Sequence, residues 1–137
     1  MRAVAFGLWL GFVVIFSLTA RADTSPDVQA LIGQQLDAFA HDDAPGAFAF
    51  AAPDIQRIFP DADGFMTMVK SAYPPVYRHR SVQFGKQSRD GDAIKQGVIF
   101  IDADNVVWGG VYTLALQGDG SWKISGCVLV RSADTSL

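Results

Sequence analysis

The apolar pattern of the chain changes near residue 77, and this change restricts the fold more than any other feature of the sequence. Beyond it, apolar residues recur with the period of two that is typical of β-strands. The runs that separate the apolar segments are short and consist largely of Asp and Gly. Because short connections join antiparallel neighbours, the pattern predicts a four-stranded meander over residues 81–89, 93–102, 106–117 and 122–131.

The chain before residue 77 carries a helical pattern instead. A first helix is predicted from Ser25, whose hydroxyl can cap it, to about His41, with apolar residues on one stripe. Three shorter helical segments follow, at residues 44–52, 54–59 and 61–73. The double proline that comes next, Pro74-Pro75, is expected to stop the last of them. Helices that precede an antiparallel meander place the chain in the α+β class.

Two of the predicted strands are apolar on both faces. Residues 98–101 and 127–130 do not alternate between apolar and polar side chains. A sheet of this kind needs cover on both sides to keep its apolar surface from water. We expect the helices on one side, and a second copy of the chain is the candidate for the other, in a homodimer formed through the sheet.

The first 22 residues have the organisation of a secretion signal. Arg2 precedes an uncharged apolar run over residues 3–20, and the small-x-small sequence Ala20-Arg21-Ala22 follows. We expect cleavage between Ala22 and Asp23, which gives a signal peptide over 1–22, a single domain over 23–137 and a periplasmic or secreted protein. A helix over the apolar run would be roughly 27 Å long, so an uncleaved membrane tether is the alternative.

The charge of the expected mature domain excludes some partners. The chain contains 11 basic and 14 acidic residues, and cleavage would remove two of the arginines. Nucleic acids and anionic membranes are bound through an excess of Lys and Arg, so neither is an expected partner. Cys127 is the one cysteine, which rules out an intramolecular disulfide, and its apolar strand predicts that it is buried.

The segment YPPVYRHR, which begins at Tyr73, is the strongest local candidate for a ligand site. Its two prolines restrict the backbone, so that Tyr73 and Tyr77 are held in place, and Arg78 adds a guanidinium fork. Tyrosine hydroxyls beside an arginine could bind a carboxylate or phosphate of a small ligand. The alternative is a rigid connector whose tyrosines pack in the core and whose arginines pair with aspartates.

The third predicted strand contains a second candidate group. Trp108 and Tyr112 lie on one face of it, on either side of Gly110, and glycine suits a bend in a curved sheet. The two aromatic side chains could line the cavity that such a bend creates, although ordinary core packing gives the same pattern. The predicted ligand-binding residues are thus Tyr73, Tyr77, Arg78, Trp108 and Tyr112.

No catalytic or metal-binding pattern stands out in the sequence. Asp61 and Asp63 imitate the start of a calcium loop, but the chelating Glu is missing, because the chain contains no Glu. We therefore predict no metal, no cofactor and no catalytic residue. Asp37, on the first helix, and His79 remain as candidates for an acid or base that works with a tyrosine.

Several segments together resemble one family. They are IGQQLDAF over residues 32–39, AFAFAAP over 47–53, YPPVYR over 73–78 and GSWKISGC over 120–127. The chain resembles the bacterial domain of unknown function 4864 over nearly the whole expected mature domain, and YPPVYR is the most specific element. Its order of helices and curved sheet is similar to the nuclear transport factor 2-like superfamily, which implies a cone whose bent sheet wraps an apolar pocket. That superfamily includes isomerases, dehydratases, epoxide hydrolases and members that only bind, so the fold constrains function weakly.

An aromatic pattern without a catalytic pair favours an exported domain that is not an enzyme. We expect it to bind a small ligand or a protein partner through the conical pocket or the exposed sheet face. The alternative is a small pocket enzyme of isomerase or hydrolase type that uses Asp37 or His79 with a tyrosine. Sheet-to-sheet homodimerisation without a ligand is the third hypothesis.

Overall fold

The computed structural model describes residues 26–132, in which helices precede a four-stranded sheet. The predicted leader, with its cleavage site between Ala22 and Asp23, lies outside these residues. None of the described helices is long and apolar enough to cross a membrane. The helices are α1 (Val28–Ala40), α2 (Ala44–Ala49), α3 (Pro53–Gln56), α4 (Ala62–Ala72) and α5 (Pro74–Tyr77). The strands are β1 (His79–Asp90), β2 (Ala93–Asp102), β3 (Val107–Leu116) and β4 (Trp122–Arg131).

The four strands form an antiparallel sheet in chain order, β1-β2-β3-β4. Short turns join them, and each turn contains one residue at positive φ, namely Gly91 (57°), Asn105 (62°) and Gly120 (85°). Such residues let a tight turn match the twist of the strands, and Gly or Asn adopts this conformation at little cost. The predicted α+β class and the predicted meander are both confirmed.

Aspartates begin three of the helices. Asp27, Asp43 and Asp61 each accept a hydrogen bond from the backbone N–H three residues later, at 2.8–3.0 Å. Each cap satisfies an N–H that no helical carbonyl reaches, and it contributes about 1 kcal/mol to stability. The cap of α1 is Asp27, so the prediction that this helix starts from Ser25 is corrected to a start at Val28.

The double proline does not end the helical part of the chain. Helix α4 ends at Ala72, but Pro74 and Pro75 then occupy the first positions of the additional turn α5. Proline suits the first turn of a helix, because its φ is already helical and its missing N–H would have no partner there. The predicted end of this helix before the double proline is confirmed, and α5 is an additional turn that was not predicted.

The hydrophobic core lies between the helices and the inner face of the sheet. The most deeply buried side chains of α1 and β2 include Ile32, Phe39, Ile94, Val98 and Phe100. The segment after α2 is fixed to the edge strand β4, since backbone hydrogen bonds join residues 50–52 to Ile124 at 2.7 and 2.8 Å. This attachment closes one side of the space between the helices and the sheet.

The opposite face of the sheet stays partly exposed. Val128 and Val130 of β4 are each 64% exposed, and Ile99, Val107 and Val111 are exposed by about two fifths. The register pairs Val111 with Val128, so the two side chains are neighbours on this surface. We call these five side chains the outer apolar face.

Candidate functional site

A pocket of about 220 Å³ lies between the helices and the inner side of β3 and β4. Its lining residues come from α1, α4, α5 and the two strands, as well as from residues 51–59. Ile58 belongs to this lining and is 72% exposed, so it marks the opening to solvent. Because a cavity of roughly 150 Å³ can hold a benzene ring, this pocket has room for about nine non-hydrogen atoms.

Aromatic side chains build one wall of the pocket. Phe65 of α4 packs against three other rings, with centroid distances of 6.1 Å to Phe39, 5.2 Å to Phe48 and 5.6 Å to Phe59. Tilted and edge-to-face pairs of this kind hold aromatic rings in defined orientations. Phe39, Phe59 and Phe65 all line the pocket, so the protein itself preforms its shape.

The pocket offers few polar groups, and none of its lining residues is charged. Gln35 of α1 is buried, and its amide nitrogen donates a hydrogen bond to the Ala47 carbonyl at 3.1 Å. Tyr112 is 1% exposed, and its hydroxyl has no hydrogen-bond partner among residues 26–132. The Cys127 thiol lies beside this hydroxyl.

Burial keeps two ionisable groups of the pocket wall protonated. Removal from water raises the pKa of the Cys127 thiol to about 12. The same cause holds the pKa of the Tyr112 hydroxyl well above its ordinary value of 10.0, and the neighbouring thiol adds to the effect. The pocket therefore presents apolar surface and neutral groups to an incoming molecule.

Comparison with known proteins gives a family for the chain. The family model described as domain of unknown function (DUF4864) matches residues 21–137. The chain belongs to this family. The resemblance to DUF4864 that the sequence motifs indicate is thereby confirmed.

Other comparisons add little to the family assignment. No curated protein matches the chain. Among solved structures, the chain is similar to the crystal structure of an NTF-2-like protein of unknown function from Silicibacter pomeroyi DSS-3, with 19% sequence identity and a TM-score of 0.48. The similarity covers 76% of this chain and 92% of that chain.

Two of the five residues predicted to bind a ligand line the pocket of this DUF4864 domain. Tyr112 stands on β3 in the inner wall, and Tyr73 lies at the junction of α4 and α5. The fold thus brings into one cavity two tyrosines that the sequence places in separate segments. Their contact with a ligand stays a prediction.

Tyr77 and Arg78 are not among the lining residues, and they fasten the end of α1 instead. Arg78 donates to the Phe39 carbonyl at 2.7 Å and to one oxygen of Asp42 at 3.0 Å. The Tyr77 hydroxyl donates to the other oxygen, and the Arg78 guanidinium lies 4.0 Å from the Tyr77 ring centre. The arginine fork is therefore engaged within the protein, as in the rigid connector that was the alternative interpretation. We call these contacts the Asp42 clasp.

The Asp42 clasp changes the acidity of its carboxyl group. The hydrogen bond from Tyr77, together with the charges of Arg78 and Lys70, holds the pKa of Asp42 below its ordinary value of 3.8. The Lys70 Nζ lies 3.8 Å from the carboxylate. Because the ion pairs are about half exposed, solvent screens them, and the clasp positions the chain more than it stabilises it.

Trp108 also makes a structural contact outside the pocket lining. Its indole Nε1–H donates to Asp102 at 2.9 Å, and the other carboxylate oxygen accepts the backbone N–H groups of Asp104 and Val106. These hydrogen bonds hold the pKa of Asp102 below its ordinary value, and the bond from the Trp108 indole has the largest effect. Trp108 thus organises the turn between β2 and β3.

The acid and base candidates do not reach the pocket. Asp37 is exposed on α1, and His79 begins β1, half-buried with its ring centre 5.5 Å from that of Phe100. Burial lowers the pKa of His79 below its ordinary value of 6.5. Neither residue lines the pocket, so the described residues do not assemble the acid-and-tyrosine pair that the enzyme hypothesis requires there. Across residues 26–132, no three side chains of His, Cys, Asp or Glu converge as metal ligands.

Sequence reasoning missed Gln35 and most of the apolar lining. Gln35 comes three residues after Ile32 and four before Phe39, which places it on the buried stripe of α1. A polar residue on such a stripe was the signal that this part of α1 contacts something other than a plain core. The contribution of residues 55–59 depends on how they fold back toward the sheet, which no local pattern predicts.

Proposed function

We propose that this DUF4864 domain binds a small, largely apolar molecule in the pocket and does not transform it chemically. The observation that carries the proposal is a preformed cavity of about 220 Å³ with an almost entirely apolar lining and an opening beside Ile58. Concave apolar sites of this kind are where proteins usually bind small molecules. Binding without catalysis is supported by Tyr112 and Cys127, because both keep their protons at neutral pH and neither is a base there.

The driving force is the transfer of an apolar molecule from water into an apolar cavity. The molecule loses its contact with water and gains contacts with the side chains of the lining. A probe of about eight non-hydrogen atoms, such as ethylbenzene, gains roughly 4–5.5 kcal/mol at the ligand efficiency of small molecules. This free energy corresponds to a Kd of about 0.1–1 mM.

Calorimetric titration with ethylbenzene tests the proposal on the unchanged domain, Cys127→Ala and Cys127→Phe. Cys127 lies in the pocket wall, so the phenylalanine occupies space that the ligand needs, whereas alanine leaves that space open. We expect similar affinities for the first two proteins and an affinity at least about tenfold weaker for Cys127→Phe. Equal binding by all three proteins, or no binding by the unchanged domain, would contradict the proposal.

A second blocking variant keeps the test decisive if Cys127→Phe does not fold. Met68 of α4 is partly buried and lines the pocket from the opposite side, so Met68→Trp fills the cavity from a helix rather than from the sheet. Thermal unfolding of each variant checks that it is folded before the titration. Loss of binding in a folded blocking variant, with binding retained in Cys127→Ala, assigns the site to the pocket.

The outer apolar face supports a second proposal, in which two copies of the chain associate through their sheets. Its apolar side chains would leave water together if two such faces met. One surface can pair with itself under a two-fold rotation, so a single face is sufficient for a dimer. Gln83 and Lys95, on the same side of the sheet, would lie at the polar rim of the contact.

Light scattering of single-site variants tests the dimer. A lysine at Val128 places a charge within the outer apolar face, so we expect Val128→Lys to be a monomer. The control is Ile58→Lys, which changes an apolar residue that is at least as exposed but lies away from the sheet and should leave the dimer intact. A monomeric unchanged domain at micromolar concentration would contradict this proposal.

We also propose that the domain is exported and released from its leader. The proposal rests on the apolar run and the Ala20-Arg21-Ala22 pattern at the start of the chain. The intact mass of the protein purified from the periplasm or medium of its own cells tests it. We expect a mature chain that begins at Asp23, and a full-length chain in the membrane fraction would support the tethered alternative.

A further inference from the structure

We propose that the pocket selects uncharged molecules and rejects ionised molecules of the same size and shape, an inference that rests on the proposed binding function. None of the residues that line the pocket is an Asp, Lys, Arg or His. An ionised ligand would give up its hydration shell and meet no opposite charge in return. An uncharged ligand loses far less hydration and keeps the full apolar contact.

The charged side chains on the surrounding elements lie outside the pocket lining. After α3, Arg57 pairs with Asp54, and on β4 the Lys123 ammonium donates to the Ala49 carbonyl at 2.8 Å. Lys70 of α4 belongs to the surface around the Asp42 clasp. The acidic residues within α1 and α4 are the exposed Asp37 and Asp63. None of these charged side chains lines the pocket, so a ligand there has no counter-charge in contact with it.

The ionisable groups of the inner wall do not supply a charge either. The raised pKa values of Tyr112 and Cys127 keep both groups neutral across the pH range in which most ligands change their charge. A cation therefore gains no anionic partner, and an anion gains no cationic one. The pocket therefore excludes anions as well as cations, which distinguishes it from an ordinary fatty-acid or amine site.

A matched set of aromatic probes of nearly equal size tests the selectivity. Ethylbenzene is uncharged, benzoate is an anion and benzylammonium is a cation at pH 7. We expect ethylbenzene to bind the unchanged domain and the two ions to bind at least about 100-fold more weakly. Cys127→Phe serves as the control, because any weak binding of the ions that it retains occurs outside the pocket.

The pH dependence of the ionisable probes gives an independent readout. The uncharged fraction of a carboxylic acid with a pKa near 4 rises about 100-fold between pH 7 and pH 5, so the apparent affinity of benzoate should rise by the same factor. The apparent affinity of benzylamine should rise in the opposite direction, as the pH increases toward the pKa of its ammonium group. Profiles that each follow the pKa of the ligand itself identify the ligand's own proton, because titration of a protein group would move both affinities with one shared pKa.

The outcomes separate this inference from the function on which it rests. Binding of benzoate or benzylammonium within about threefold of ethylbenzene at pH 7 would overturn the neutral selection while leaving the pocket as the binding site. Failure of all three probes to bind the unchanged domain would overturn the proposed function itself. Binding of ethylbenzene with the two mirrored pH profiles supports both.

Discussion

Replacement of Tyr112 by phenylalanine should make the domain more stable, which is the reverse of most substitutions in a core. The Tyr112 side chain is 1% exposed, and its hydroxyl has no partner among residues 26–132. A buried hydroxyl without a hydrogen bond costs about 1–3 kcal/mol relative to its hydrated state in the unfolded chain. Tyr112→Phe removes that cost and keeps the ring.

The gain is smaller than the full desolvation cost, because removal of the oxygen also leaves a small void beside Cys127. The lost dispersion contacts are worth about 0.1–0.2 kcal/mol each, so several of them offset part of the gain. We expect a net increase of about 1 kcal/mol in the free energy of unfolding. For a domain of this length, that increase raises Tm by about 4 °C.

Urea unfolding followed by circular dichroism measures the change, and Tyr77→Phe is the matched control. The Tyr77 hydroxyl donates to Asp42, so its loss should lower the stability, opposite in sign to Tyr112→Phe. A loss of 1 kcal/mol or more in Tyr112→Phe would refute the reasoning. It would mean that the Tyr112 hydroxyl makes a hydrogen bond in the folded protein.

Three further predictions follow from the contacts outside and inside the pocket. Folding lowers the pKa of Asp42 below its ordinary value of 3.8. The Asp42 clasp therefore stabilises the fold at pH values above 3.8, and this stabilisation is lost as the pH falls through the lower pKa of the folded state. Acid unfolding curves of Asp42→Asn and Tyr77→Phe should therefore lack part of the pH dependence seen in the unchanged domain. With a pKa of about 12, the Cys127 thiol should react with a disulfide reagent at pH 8 roughly 1000-fold more slowly than in the urea-unfolded chain, and an equal rate would contradict its burial. Trp108→Phe removes the hydrogen bond to Asp102 and should destabilise the domain by about 1 kcal/mol without changing the affinity for ethylbenzene. A loss of affinity would mean that Trp108 contributes to the ligand site.

The architecture was predictable because its signals are local. Short Asp- and Gly-rich turns between period-two segments determine a meander, and three of the helix caps are aspartates at the positions where the helical pattern starts. The errors are local as well. Ser25 and Asp27 are both good caps, and the turn α5 was missed because Pro74-Pro75, which ends α4 as predicted, also suits the start of a new turn.

The candidate site was predictable only in part, because it depends on which segments meet in space. The proline-restricted segment predicts Tyr73, the glycine bend of the third strand predicts Tyr112, and both residues line the pocket. Tyr77 and Arg78 have side chains that are equally suited to a ligand, but in the folded protein they bind Asp42. Asp42 lies more than thirty residues earlier in the chain, so the segment itself does not indicate this partner. Polar side chains in a short motif therefore do not reveal whether they face a ligand or the protein.

Methyl NMR spectra recorded during a titration with ethylbenzene test the central claim most directly, because they locate the ligand as well as detect it. We expect shifts of the Ile55, Met68 and Val69 methyl signals, which belong to the pocket, with those of Val128 and Val130 unchanged. Shifts confined to Val128 and Val130 would place binding on the outer apolar face. That result, or the absence of any shift at about 1 mM ethylbenzene, at which at least about half of the sites should be filled for a Kd of about 0.1–1 mM, would contradict the assignment of this pocket as the ligand site.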